Sequence, residues 1–250
     1  MALVTGGGSG LGAAVVRRLV ASKWPVVIAD LTNKSGVEGA KNASFVPTDV
    51  TKENDVREAL RILKDETGKE VSVVVNCAGI GHAARTLSRD GISHDLEEFQ
   101  RVLQSNTVGT FNVLRLAAER MATRSPDSNG QRGVIINTAS IAAYEGQVGQ
   151  AAYAASKAAI VGLTLPCARD LAGKSLGIGV RVCAVAPGLF KTPLLEALPK
   201  EAQEALAATI PNPSRLGDPD EFAQLVESMI ANPMLNGEVI RLDGALRMGP

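Results

Sequence analysis

Neither sign of charge is in excess: 26 Lys and Arg face 26 Asp and Glu, for a formal net charge of +0 at pH 7. No overall field therefore draws the chain to nucleic acid, an anionic membrane or a strongly charged substrate. Only two histidines occur, His82 and His94, and neither has a metal-ligand partner in sequence. No metal site is expected, and both read as surface loop residues. The three cysteines, Cys77, Cys167 and Cys183, are odd in number and fit no metal spacing. They read as free, mostly buried thiols in a reducing compartment. No run of about 18 apolar residues occurs, so no membrane span is expected. A glycine-rich motif is reached by Gly6, which leaves no room for a targeting segment ahead of it.

Apolar runs alternate with amphipathic stretches along the whole chain. Ala2 to Thr5, Val26 to Asp30, Ser44 to Pro47, Val71 to Asn76, Val134 to Ser140, Val180 to Pro187 and Val239 to Asp243 read as buried strands. Helical stretches lie near 10–22, 53–67, 95–122 and 150–172, and the polar run Arg124 to Gly133 reads as a surface loop. The alternation predicts an α/β fold: a Rossmann-type doubly wound parallel sheet of about seven strands, with helices on both faces. No linker, internal repeat or low-complexity segment divides it, so 1–250 is expected to be one catalytic domain.

The stretch Thr5-Gly6-Gly7-Gly8-Ser9-Gly10-Leu11-Gly12 follows a strand and opens a helix. Glycines there allow a tight turn and close approach of a pyrophosphate, and the helix N-terminus offers free N–H groups to it. Gly6, Gly10 and Gly12 are spaced TGxxxGxG. Asp30 ends the second strand, where its carboxylate can accept hydrogen bonds from ribose hydroxyls and repel a 2′-phosphate. Leu31 and Ser9 stand where a basic residue would favour NADP, so NAD is the expected cofactor; Lys34 lies close by. Asp30 also suits the cap of the strand-to-helix turn. Asp49 and Val50 follow the third strand and can meet an adenine, although Asp49 equally suits the turn before the next helix. Asn76-Cys77-Ala78-Gly79 ends the fourth strand with small residues that let the chain pass close to a cofactor.

Tyr153 and Lys157 are four apart in a helical stretch, hence on one face. An ammonium beside a phenol is expected to lower the phenol pKa towards the working pH. Ser140 ends the fifth strand and can hold a substrate oxygen beside the phenol. Asn106 falls within a helical stretch, where asparagine is a poor choice. It either interrupts the helix and holds a water linking Lys157 to solvent, or sits exposed on the surface.

Together TGGGSGLG, Asp30, NCAG, Asn106, Ser140, YAASK and Pro187-Gly188 resemble the short-chain dehydrogenase/reductase family across the whole chain. Longer stretches such as FQRVL, GTFNV, RGVIINTAS, AAYEGQVGQAAY, APGLFKTPLL, PSRLGDP and NGEVIRLDGALRM resemble its 3-hydroxyacyl-CoA and 17β-hydroxysteroid dehydrogenase branch, most closely from Gly133 to Met248. The resemblance implies NAD-dependent interconversion of a 3-hydroxyacyl-CoA and its 3-oxoacyl-CoA, with hydroxysteroids as further substrates. It implies Ser140, Tyr153 and Lys157 as the catalytic set, with Asn106 completing a proton relay. Cofactor contacts are implied for Ser9, Leu11, Asp30, Asp49, Val50, Cys77, Tyr153, Lys157, Phe190 and Thr192. Gln147 is implied beside the substrate, under a lid spanning roughly 189–215.

A homotetramer is implied as well, built through the helices at 95–122 and 150–172 and the segment Leu242 to Pro250. The resembled branch is mitochondrial, whereas the absence of an upstream targeting segment points to the cytoplasm. RNA-processing partners, through a subunit role in transfer-RNA processing, are implied by the resemblance alone. An NADPH-dependent 3-oxoacyl carrier-protein reductase of the same fold is the alternative, and Asp30 speaks against it. The chain departs from the family at its start, where few residues precede Thr5, and in the divergent segment 80–98. The loops near 82–94 and 124–132 are expected at the CoA end, with Arg85, Arg89, Arg124 or Arg132 on its phosphates.

Overall fold

The computed structural model describes residues 1–37, 40–173 and 177–250, with the Leu194 side chain outside the description. Seven strands form one sheet: β1 Ala2–Thr5, β2 Val26–Asp30, β3 Ala43–Pro47, β4 Val73–Asn76, β5 Gly133–Thr138, β6 Val180–Pro187 and β7 Val239–Leu242. Their order is β3-β2-β1-β4-β5-β6-β7, and every neighbouring pair is parallel. The expected fold class is therefore observed. All carboxyl ends meet at one edge, and the order reverses between β1 and β4, where such sheets place their ligands.

The sheet is buried on both faces, so its strands read as continuous apolar runs. Alternate residues serve two cores. Leu3, Val27 and Val74 pack with α2 (Glu53–Thr67) and α4 (Gly109–Ala122). Val4, Ile28 and Val75 pack with α1 (Gly10–Ala21) and a helix at Pro219–Ala231. Helix α3 (Leu96–Leu103) runs through a π-helical turn, Gln104–Val108, into α4. Helix α5 (Ala151–Asp170) follows a 3₁₀ turn at Ile141–Ala143. Beyond β6 come α6 (Pro193–Glu196), α7 (Lys200–Ala208) and α8 (Pro219–Ala231), none of them anticipated from the sequence.

Two expectations need correction. By length and composition α5 does reach what a membrane crossing needs, with a mean hydropathy of 1.3 over its apolar window. Its inner face packs on the sheet and carries buried Ser156 and Lys157. The loop at 124–132 enters the amino end of β5, whereas Ser140 lies beyond its carboxyl end. Six strand residues separate the two by roughly 20 Å. Arg124 donates to the carbonyls of Arg132 (2.8 Å) and Glu70 (2.6 Å), and Arg132 to those of Arg124 (2.7 Å), Gly177 and Ile178. These two arginines lace the opposite edge of the sheet and do not face the site.

Candidate active site

A cleft of about 740 Å³ opens at the carboxyl edge of the sheet. Every cofactor residue expected from the sequence lines it: Gly6, Ser9, Gly10, Leu11, Gly12, Asp30, Asp49, Val50, Cys77, Gly79, Phe190 and Thr192. Ser140, Gln147, Tyr153 and Lys157 line it too, whereas Asn106 lies behind the wall.

The floor is the β1–α1 turn. Gly6 has φ +62°, and a Cβ there would stand 2.5 Å from the Ala78 nitrogen. A Cβ on Gly12 would run into the Gly6 carbonyl. Only glycine permits this fold-back, and the close approach leaves a shallow backbone cradle at the N-terminus of α1. Ser9 is the N-cap of that helix, and its side chain makes no cap hydrogen bond. Asp30 accepts the Gly8 N–H at 2.9 Å and the Leu31 N–H at 2.6 Å. It thus braces the cradle, as foreseen for a cap of this turn, and it lines the cleft. Asp49 accepts from the Thr51 N–H (3.0 Å) and hydroxyl (2.7 Å), so it does form the turn before α2. Burial pushes Asp49 up, but the Thr51 bonds and the Lys52 ammonium prevail and its net shift is down. Phe190 is buried edge-on to Phe222, and Thr192 caps α6 above Gly10.

The opposite wall carries the polar set. Tyr153 and Lys157 share one face of α5, with the Lys157 Nζ 5.7 Å from the Tyr153 ring centroid. Lys157 donates to the Thr138 carbonyl at 2.9 Å, and burial holds its ammonium down to about 8. Burial pushes the Tyr153 phenol up, opposed by its hydrogen bond with Ser140. The expected lowering of the phenol is therefore not found. Desolvation disfavours the phenolate more than the neighbours favour it. Ser140 caps the 3₁₀ turn, its Oγ accepting the Ala142 N–H at 3.1 Å. Burial also pushes the Cys77 thiol up to about 11, which leaves it a quiet wall residue despite its nearness to Lys157.

Asn106 is fully buried in the π turn, so a surface position is excluded. Its Oδ1 accepts the Ile80 N–H (2.8 Å), and its Nδ2 donates to the Ile80 carbonyl (2.9 Å) and Ser156 Oγ (3.0 Å). Ser156 in turn donates to the Tyr153 carbonyl at 2.7 Å. The helix is interrupted as foreseen, and both amide protons go to protein groups. Sequence reasoning missed Thr138 and Ser156. Thr138 was legible as the last strand residue two positions before Ser140; nothing local marked Ser156.

The family profile "short chain dehydrogenase" matches residues 1–203. This chain belongs to the short-chain dehydrogenases. It is 57% identical to the 3-hydroxyacyl-CoA dehydrogenase type-2 of Homo sapiens, covering 100% of this chain and 96% of that protein. It is 54% identical to the Drosophila melanogaster protein of the same name, over 100% and 98% of the two chains. The crystal structure of 3-hydroxyacyl-CoA dehydrogenase type-2 from Mycobacterium avium matches with a TM-score of 0.93 and 45% identity, over 100% of this chain and 96% of that one. A short-chain dehydrogenase is an oxidoreductase that works on a secondary alcohol with NAD or NADP. The glycine cradle and the Asp30 carboxylate fit such a dinucleotide.

Proposed function

We propose that this short-chain dehydrogenase uses NAD to interconvert a 3-hydroxyacyl-CoA and its 3-oxoacyl-CoA, with hydroxysteroids as further substrates. The observation that carries the chemistry is the joining of Ser140, Tyr153 and Lys157 in one cleft with the glycine cradle. The names of the relatives above supply the substrate class. NAD bound along the cradle would supply the hydride acceptor, and NADH the hydride donor. Gly6, Ser9, Gly10, Leu11 and Gly12 would hold its pyrophosphate, and Asp30 would accept from the ribose of its adenosine. Asp49 and Val50 would border the adenine, while Cys77, Gly79, Phe190 and Thr192 would close the site. Asp30 disfavours a 2′-phosphate and with it the carrier-protein reductase alternative.

Ser140 holds the substrate oxygen against Tyr153. In reduction the phenol donates its proton to that oxygen, and burial keeps this proton in place beforehand. In oxidation the phenolate takes the proton from the alcohol. Lys157 favours that phenolate electrostatically. Asn106 positions the relay through Ser156 and Ile80.

The chain works as one domain, with 189–215 as its lid. Leu189, Phe190 and Leu195 line the cleft, while α7 has no buried residue. Gln147 meets the substrate at the mouth. Arg85 and Arg89 are exposed and have no partner among the described residues, so their guanidinium groups are open to the CoA phosphates. Assembly as a homotetramer explains the outer side of α5, where Ala151, Ala155, Ala158, Gly162 and Leu165 form an exposed stripe of mostly small residues. Such a stripe lets a second helix approach closely. Phe111, 46% exposed on α4, is a further large apolar side chain left uncovered.

Tyr153→Phe tests the proton step, since it removes only the ionisable oxygen. Reduction of acetoacetyl-CoA by NADH should fall roughly 10²–10⁴-fold, with NADH affinity by fluorescence titration retained. Turnover within a few fold of the unsubstituted enzyme would remove Tyr153 from the mechanism.

A further inference from the structure

We propose that His82 is a substrate-contact residue whose free ring nitrogen accepts a hydrogen bond from an amide N–H on the carrier arm of thioester substrates. The assignment rests on the acyl-CoA reading above. His82 lines the same cleft as Ser140 and Tyr153, together with Gly81, Ala83, Leu195 and Met248.

The imidazole is held from several sides. Asn106 grips Ile80, two residues earlier, at both backbone groups. The Ala84 N–H, two residues later, donates to the Gly149 carbonyl at 2.9 Å. The ring itself stands edge-on to His94, centroids 5.6 Å apart, and His94 packs the same way on Phe99 at 6.2 Å. His82 Nδ1 lies 3.5 Å from Glu98 Oε2, and Glu98 is in turn tied to Arg101 at 2.6 Å. A side chain braced in this way needs little ordering when a ligand arrives.

The Glu98 carboxylate decides what the ring offers. A carboxylate can only accept, so the tautomer that satisfies it carries its N–H on Nδ1 and leaves a lone pair at Nε2. That nitrogen has no partner among the described residues. The neighbouring polar side chains at the mouth are already engaged. The Gln147 N–H donates to Gln150 Oε1 (3.2 Å), Gln150 Nε2 to Gln147 Oε1 (3.4 Å), and Gln147 Nε2 to the Gly249 carbonyl (3.4 Å). His82 is thus an open acceptor in a largely apolar mouth.

An acceptor selects for a donor. The 3-oxo and thioester oxygens of the substrate are themselves acceptors, and a steroid skeleton carries no N–H. The amides of a pantetheine-type arm do carry one. A site built for a hydrogen bond discriminates against substrates that leave it unmade.

The test compares acetoacetyl-CoA, the acetoacetyl thioester of N-acetylcysteamine and ethyl acetoacetate as substrates for reduction. The first two have an arm amide and the third has none. His82→Leu should raise KM for the first two roughly three- to tenfold, the range of one hydrogen bond, with kcat unchanged and KM for ethyl acetoacetate unmoved. His82→Gln, which keeps an acceptor, should restore much of the loss. Equal shifts for all three substrates, or none for any, would overturn the assignment while leaving the acyl-CoA reading intact. Failure of the unsubstituted enzyme to reduce either thioester would overturn both together.

Discussion

Asn106 clamps Ile80 at both backbone groups, accepting its N–H at 2.8 Å and donating to its carbonyl at 2.9 Å across 26 residues of sequence. The clamp joins the π turn to the strand-end segment that borders the cleft. A buried backbone group left without a partner costs about 1–3 kcal/mol. Asn106→Ala leaves two partly buried groups of this kind, and is expected to lower stability by roughly 1–3 kcal/mol in urea unfolding. Turnover should fall with it, because Ser156 loses its anchor next to Tyr153. A loss well under 1 kcal/mol would mean that the clamp does not hold the turn.

Lys157 makes stability depend on pH in a definite direction. Its folded-state pKa is lowered from 10.5 to about 8 by burial. Below about pH 8 both states carry the proton and the burial penalty is fully present. Between about pH 8 and 10.5 the unfolded chain binds more protons, so this group's contribution to stability rises with pH. Cys77, raised from 9.0 to about 11, and Tyr153, also raised, act with the opposite sign in that region. The readout is therefore the difference between the unsubstituted protein and Lys157→Met, measured by denaturant titration at several pH values. That difference should move in favour of the lysine-bearing protein from pH 8 to 10.5. A flat difference would show that the ammonium is not held down.

Asp30 should govern the choice between the two dinucleotides. Its carboxylate is already anchored by the Gly8 and Leu31 N–H groups, so it faces the cradle in a set orientation. Asp30→Ala is expected to reduce the ratio of kcat/KM for NADH over NADPH by about tenfold or more, equivalent to about 1.4 kcal/mol of repulsion removed. Some stability should be lost as well. An unsubstituted enzyme that uses both dinucleotides equally would contradict this role.

The arginines divide by edge of the sheet. Neutralising Arg85 and Arg89 together should raise KM for acetoacetyl-CoA several-fold, by roughly 0.5–1 kcal/mol per exposed charge contact, and leave a steroid alcohol almost untouched. Arg124→Ala and Arg132→Ala should instead lower the melting temperature and leave both KM values alone, since their groups hold carbonyls at the far edge. A selective KM effect from Arg124 or Arg132 would refute that division.

Much of the site was legible along the chain. Gly6, Gly10, Gly12 and Asp30 announced themselves because a tight turn between a strand and a helix restricts residue type locally. Tyr153 and Lys157 did so because a spacing of four fixes a common helical face. Helix α8 was written in the sequence yet went unread: Asp218 and Glu221 form a capping box around Pro219, a local signal of a helix start. The placing of Arg124 and Arg132 could also have been inferred. A loop that precedes a strand in a parallel sheet must lie at the edge opposite the residues that follow it.

The sequence by itself determined the seven strands, the cradle and the pairing of tyrosine with lysine, because periodicity, glycine geometry and short spacings act between near neighbours. Only the tertiary structure decided who holds the Asn106 amide, what the His82 ring faces and which way the Tyr153 phenol titrates. Asn106 bonds to residues 26 and 50 positions away. The phenol answers to the balance between burial and a hydrogen bond from Ser140. That balance is set by how completely the packed elements exclude water, a property of the assembled fold that no stretch of chain carries alone.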